Sequence, residues 1–313
     1  MITVRMNQWV ERNLFWVIPL ALVGGLFAFR GLSSWISLVP WLFAWITFAM
    51  ALSCKASDIW EAFRKPKLMI GLFVVGHGLL ALIGWLWGAL LLGADSPFRT
   101  GLVLLAAIPF GISSIIWVDQ AKGNRAFTLA IVVIDTVLSP ITVPVVLSML
   151  VHQQVEVPVW KLMNDLFVML VVPTLIGVLM NEFTRGVAVQ LTKKWIGLST
   201  KVCFIFVVMI NAAAVAPQIW PFRAVIPMLI PTLVSYIFIG YMSGWWIGKG
   251  ESSFWRRSAL FVGGMRNISL GLVVALPYFG PTVAFPVIVT ILLQQPMATL
   301  MHRWVMRKEP FTI

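Results

Sequence analysis

The sequence predicts an all-α membrane protein of ten transmembrane helices, arranged as two inverted five-helix repeats. Three observations carry that prediction. The first is composition: of 313 residues, 60% are apolar and only 11% charged, with a mean hydropathy of +0.95. A soluble domain carries about 25% charged residues, so this chain has too little charge to cover a water-facing surface. The second is the arrangement of the apolar residues. They form runs at about 14–30, 35–54, 68–92, 100–120, 126–150, 161–180, 197–216, 225–247, 258–277 and 282–301, each near the roughly 20 residues a membrane helix needs. The third is the placement of Lys and Arg. With a cytoplasmic N-terminus, eighteen of the 23 basic residues fall in cytoplasmic segments, and four (Arg30, Arg99, Lys161, Arg223) fall outside. The remaining one, Arg266, lies within the ninth run. So strong a positive-inside bias fixes count and direction together, because one missed span would invert every later loop. It puts both termini in the cytoplasm of an integral inner-membrane protein.

Each element follows in order. The runs are read as helices because a lone open strand leaves its backbone unsatisfied in lipid. Arg5 and Arg12 before the first run imitate a signal peptide, but no small-x-small cleavage site follows Phe29-Arg30, so it reads as a retained span. Spans 1–5 (residues 1–150) and spans 6–10 (151–313) form two halves. Five is odd, so a repeat of the first half is inverted in the membrane, as in many secondary transporters. The fourth span carries Pro109-Phe110-Gly111-Ile112-Ser113-Ser114, and the ninth carries Gly263-Gly264-Met265-Arg266-Asn267 at the corresponding place. Pro109, Gly111, Gly263 and Gly264 are expected to break their helices. Gly and Pro are common in membrane helices, and one kink alone means little. Two matched breaks with polar neighbours favour a binding site, since opened backbone at that depth must line a cavity or be buried in protein.

The polar residues inside the spans sharpen the site. Arg266 sits close to the midplane, where a lone charge costs at least about 2.5–3.5 kcal/mol, so it needs a partner or a cavity. Asp135, at matching depth in span five, is the expected partner, either as a structural salt bridge or as part of a substrate site. Thr128, Val132, Asp135 and Ser139 share one face of span five. His77, flanked by Gly76 and Gly78, is the mid-membrane group that titrates near neutral pH. It reads either as a neutral hydrogen-bonded residue or as a proton-coupling group. Asn211 in span seven and Gln294-Gln295 in span ten each read as a packing hydrogen bond or a site group; Asn211 is the better site candidate, because a Gln pair more often holds helices together. Trp117 lies beside the first break; most of the 16 Trp read as interfacial anchors.

Other classes are set aside on composition. The net charge of +12 does not indicate nucleic acid, because the basic residues sit in loops between apolar runs. Two cysteines, Cys54 and Cys203, are too few for a disulfide framework. There is no Cys/His metal spacing, no phosphate loop, and no cluster of carboxylates, histidines and serines at one interface. An enzyme is not expected.

The run IPFGISSIIWVDQAKGNRAFTLAIVVIDTVLSPITVP (108–144) and the run GGMRNISLGLVVAL (263–276) resemble spans four, five and nine of the bile acid:sodium symporter family. The resemblance implies a panel of spans 1, 2, 6 and 7, a core of spans 3–5 and 8–10, and broken helices 4 and 9 crossing in the core. It also implies alternating-access transport of organic anions and two sodium ions beside the crossing. The sodium ligands carry over only in part. The family's span-four Ser-Asn is Ser114-Ile115 here, its two span-five hydroxyls are Thr128 and Val132, its span-nine Glu is Val262, and its span-nine Gln is Arg266. The span-three Gln falls at or near His77.

These readings converge on a secondary transporter for a small organic anion, a carboxylate or sulfoconjugate, with sodium coupling weakened or absent. Ser113, Ser114, Thr128, Asp135, Asn211, Arg266, Asn267 and His77 form the expected substrate or coupling site, with no cofactor, no metal and a proton as the alternative coupling ion. Membrane lipid is the remaining partner. One competing reading is a sodium symporter, with the ion held by backbone carbonyls, Ser114, Thr128 and Asp135. The other is a non-transporting membrane sensor or subunit.

Overall fold

A computed structural model describes residues 16–151, 158–218 and 220–308; Arg5 and Arg12 lie outside them. In chain order the helices are α1 (Trp16–Ala28), α2 (Arg30–Ala51), α3 (Ala56–Phe63), α4 (Pro66–Leu92), α5 (Pro97–Ala107), α6 (Ser114–Gln120), α7 (Arg125–Val151), α8 (Val159–Phe183), α9 (Val187–Val215), α10 (Ile226–Ile247), α11 (Ser253–Gly264) and α12 (Ile268–Lys308). There is no strand among the described residues, only one isolated antiparallel bridge between Phe110 and Arg266. Pro66 and Pro97 stand at helix starts, where a missing N–H costs nothing. Within α12, Gly280 has φ +80°, so the element is two helical limbs joined by a turn.

Seven helices are long and apolar enough to cross a membrane: α2, α4, α7, α8, α10, α12 and the Trp195–Val215 part of α9. The other expected spans fall on the short apolar α1 and on segments that the chain interrupts. The fourth is split between α5 and α6, and the ninth between α11 and the first limb of α12. Large apolar side chains such as Leu20, Trp41, Val74, Leu90 and Met149 point outward, as expected where lipid rather than water is the solvent.

Packing sorts the helices. α2 lies against α8 and α9, and α9 also holds α1. α5 packs between α4, α7 and α12, while α10 packs along α11. α5 carries an unbroken run of fully buried residues from Leu102 to Ile108, and the first interruption follows it in the interior. Within α4, Val74–Leu79 is wound as a π-helix, as Gly24–Ala28, Gly88–Leu92 and Phe167–Val171 are elsewhere; none of these was expected. The widened turn holds Gly76, His77 and Gly78 and faces the interior with Gly76 and His77.

Candidate functional site at the paired helix breaks

The two interruptions meet. After α5 the chain turns extended at Ile108 (φ −65°, ψ 148°), and after α11 it does so at Met265 (φ −116°, ψ 129°). Gly111 N–H donates to Met265 C=O at 2.9 Å, and Asn267 N–H donates to Pro109 C=O at 2.8 Å. The backbone groups released by each break are thus satisfied by the other, which is what buried irregular backbone requires. A Cβ on Gly111 would come within 2.8 Å of Arg266 C=O, so the approach needs glycine there. Pro109 and Gly111 lie in the first opening. The second begins one residue later than expected, since Gly263 and Gly264 are the last residues of α11.

The bridging residues Phe110 and Arg266 each have an amide capped by a side chain from a neighbouring helix. Phe110 N–H donates to Asp135 Oδ2 at 2.7 Å, and Arg266 N–H donates to Gln294 Oε1 at 2.9 Å. Gln294 is therefore more than packing. Its neighbour Gln295 accepts from Trp117 Nε1 at 3.0 Å, tying α6 to α12.

Asp135 and Arg266 do not form the direct pair expected from their depths. Asp135 is fully buried, and its other oxygen, Oδ1, lies 2.9 Å from His77 Nε2. The Arg266 guanidinium instead donates to Gly76 C=O at 2.8 Å and, more distantly, to Ile108 C=O at 3.5 Å. It also sits 4.8 Å above the Phe110 ring. Equal depth left open which way each side chain points around its helix axis, and packing turns them to different partners.

His77 is held at both nitrogens. Nδ1 lies 3.0 Å from Ala106 C=O, and a carbonyl only accepts, so Nδ1 carries a proton. The Nε2–Asp135 contact is at hydrogen-bond distance, which needs a proton between the ring and the carboxyl.

The other expected residues are less connected. Ser114 is fully buried, and its hydroxyl has no partner in the protein; Ser113 is half-buried. Thr128 donates to Asn124 C=O at 2.9 Å and Ser139 to Thr136 C=O at 2.7 Å, both within α7 or its cap. Asn267 precedes α12, and its Oδ1 accepts from Leu270 N–H at 3.4 Å, the position and role of an N-cap. Asn211 donates to Val207 C=O on its own helix, and no hydrogen bond links it to the crossing. Tyr236, which the sequence reading passed over, lines a cavity with Arg266. With only three tyrosines in the chain, a hydroxyl in the middle of an apolar run was a usable signal.

Paired interrupted helices that meet inside a helical membrane protein are an arrangement found in many secondary transporters. The sodium bile acid symporter family model matches residues 40–220, and the chain belongs to that family. It is 37% identical over 287 residues to uncharacterized protein YbaS of Bacillus subtilis, covering 90% of this chain and 93% of the relative. It is 26% identical over 276 residues to the same organism's protein named uncharacterized sodium-dependent transporter YocS, covering 87% and 83%. It is 27% identical to the rice chloroplastic protein named probable sodium/metabolite cotransporter BASS1, over 89% of this chain and 64% of the relative.

Proposed function

We propose that this integral membrane transporter carries a small organic anion, a carboxylate or sulfoconjugate, by alternating access at the crossing of the two broken helices. Sodium coupling is weakened or absent. The observation that carries the reading is Arg266: a guanidinium held by backbone carbonyls at the crossing, where it attracts an anion and repels a sodium ion. The donor set around it supports the same view. Both oxygens of Asp135 are engaged by His77 and Phe110, and Val132 and Val262 bring no side-chain oxygen. Few side-chain oxygens are left for a sodium ion at this point, and the reading routes no step through that ion.

The packing of α1 and α2 with α8 and α9 supports the panel (spans 1, 2, 6 and 7), and the packing around α5 supports the core (spans 3–5 and 8–10). The matched caps support the two inverted repeats and their ten spans, because Asp135 lies 25 residues after Phe110 and Gln294 lies 28 after Arg266. The positive-inside bias supports cytoplasmic termini, and the reading places the protein in the inner membrane.

For coupling, the reading takes the proton shared by His77 and Asp135. In the proton-loaded state the site carries the charge of Arg266; in the unloaded state Asp135 offsets it. Anion and proton thus favour each other's binding. Uptake into proteoliposomes under an imposed pH gradient, comparing the parent with His77→Gln, tests this: only the parent is expected to respond. Equal responses, or none, rule out the dyad as the coupling site.

One observation favours the second reading, a sodium symporter using Ser114, Thr128 and Asp135: the buried Ser114 hydroxyl has no protein partner. Exchanging sodium for potassium at constant ionic strength separates the two. The first reading expects substrate affinity to change less than about twofold. A tenfold gain specific to sodium, about 1.4 kcal/mol of coupling, overturns it.

A further inference from the structure

The helices that pack around α2 meet the rest of the molecule unevenly. α9 lies against α1 and α2 and also reaches α12. Over residues 195–206 it has no buried residue, whereas over residues 207–216 nearly every residue is buried. Val207, Ile210 and Val215 share one apolar cluster with Ala284, Phe285 and Ile288 of α12. The sealed contact therefore belongs to one end of α9, the end that the positive-inside bias assigns to the outside.

A polar tie stands at the same end. The start of α8 buries Leu162 and Leu166 in that cluster and leaves Lys161 and Asp165, one turn apart, exposed. The Tyr278 hydroxyl donates to Asp165 Oδ2. Lys161 Nζ lies 5.8 Å from the centre of the same ring, within range of a cation–π contact. Tyr278 sits beside the turn that joins the two limbs of α12, between Pro277 and Gly280-Pro281. Proline fixes φ and Gly280 takes φ +80°, so the backbone sets the path of this tip. The tie joins residues 113 apart in the chain, and it joins α8 to α12. By contrast, Trp45 Nε1 donates to Ser199 and Asn181 Nδ2 to Cys54 C=O, and both of those bonds stay among α2, α8 and the α9 and α3 ends beside them.

We infer that the Asp165–Tyr278 hydrogen bond is an outer latch, which holds the crevice between the two helix groups shut on the outer side. The inference rests on the proposed panel and core and on their alternating access. When a carrier of that kind opens outward, the outer end of α8 and the tip of α12 part, and the bond must break. Its chemistry suits that task. The net weight of one hydrogen bond is small, so it biases two states without locking either. Asp165 is exposed and Tyr278 half-buried, so water takes over both partners once the tip swings away, and no polar group is left buried and unpaired.

The test measures distances between spin labels on the full-length protein in lipid nanodiscs, with Cys54 and Cys203 replaced by alanine. One pair, Asn164→Cys with Thr282→Cys, reports the outer end. The other, Gln190→Cys with Arg303→Cys, reports the cytoplasmic end. Tyr278→Phe and Asp165→Ala each remove the bond from one side. Each is expected to raise the population with a longer outer and a shorter cytoplasmic distance about fivefold over the parent, the weight of one net hydrogen bond. Combining them is expected to add nothing, because the bond is already gone; an additive double variant means two separate packing losses and overturns the latch. A longer outer distance without a shorter cytoplasmic one is local fraying of the tip and overturns it too. If the parent populates both states and the variants match it, the latch fails while panel and core stand. If every protein shows one fixed distance at both ends, the panel–core motion fails with it.

Discussion

The two helix breaks solve the same problem with different chemistry. At each, an extended segment leaves a backbone amide pointing into the protein, and a side chain from the helix that follows it in the chain caps that amide. At the first break the cap is the carboxylate of Asp135, which also meets His77. At the second it is the neutral carboxamide of Gln294, and the bridging residue itself carries the charge. The acid and the base are therefore placed on opposite sides of one bridge rather than in contact. A directly paired Asp135 and Arg266 would neutralise each other. Held apart, each stays available to a second partner: a proton on one side, an anion on the other.

The largest expected effect comes from removing the charged cap. Asp135→Leu strands the Phe110 amide and a His77 nitrogen together, and the loss of a buried charged partner costs about 3–5 kcal/mol. Thermal unfolding should show it as a severely destabilised or unexpressed protein. Gln294→Leu strands one backbone N–H and should cost about 1–3 kcal/mol, measured in the same way. If the two variants lose equal stability, the distinction between a charged and a neutral cap fails. Gln294→Glu makes the caps alike. It keeps an acceptor for the Arg266 amide and adds a negative charge at the second break, so anion affinity should fall about tenfold or more; unchanged affinity would show that the anion does not bind at this break. The smallest effect is expected at Trp117→Phe. It removes one hydrogen bond to Gln295 while keeping the ring on Phe261, for about 0.5–1.5 kcal/mol. A larger loss would mean that the tie between α6 and α12 helps hold the crossing together.

Much of the molecule was legible without coordinates. Lipid demands apolar runs of a set length, so the helical character followed from composition and run length. The requirement that broken backbone be buried or line a cavity made Pro109–Ser114 and the segment around Arg266 conspicuous. Three things were not legible, each for a physical reason. The direct Asp135–Arg266 pair was inferred from matching depth, but depth fixes one coordinate of a side chain, and its direction around the helix axis comes from packing. The π-turn at Val74–Leu79 widens α4 and brings Gly76 C=O to Arg266 NH2 and His77 to Asp135. Glycines flanking a histidine do not specify that winding by themselves. Gln294 and Tyr236 looked like an ordinary packing residue and an ordinary aromatic, because what distinguishes them lies on other helices.

The sequence by itself determined that this chain is a helical membrane protein with two broken helices, because the bilayer's demand on every backbone group acts locally along the chain. Only the tertiary structure decided that the breaks share one bridge, that His77 rather than Arg266 faces Asp135, and that the Arg266 guanidinium rests on the Gly76 carbonyl. Those are relations between residues far apart in the chain, set by how helices rotate and pack against one another.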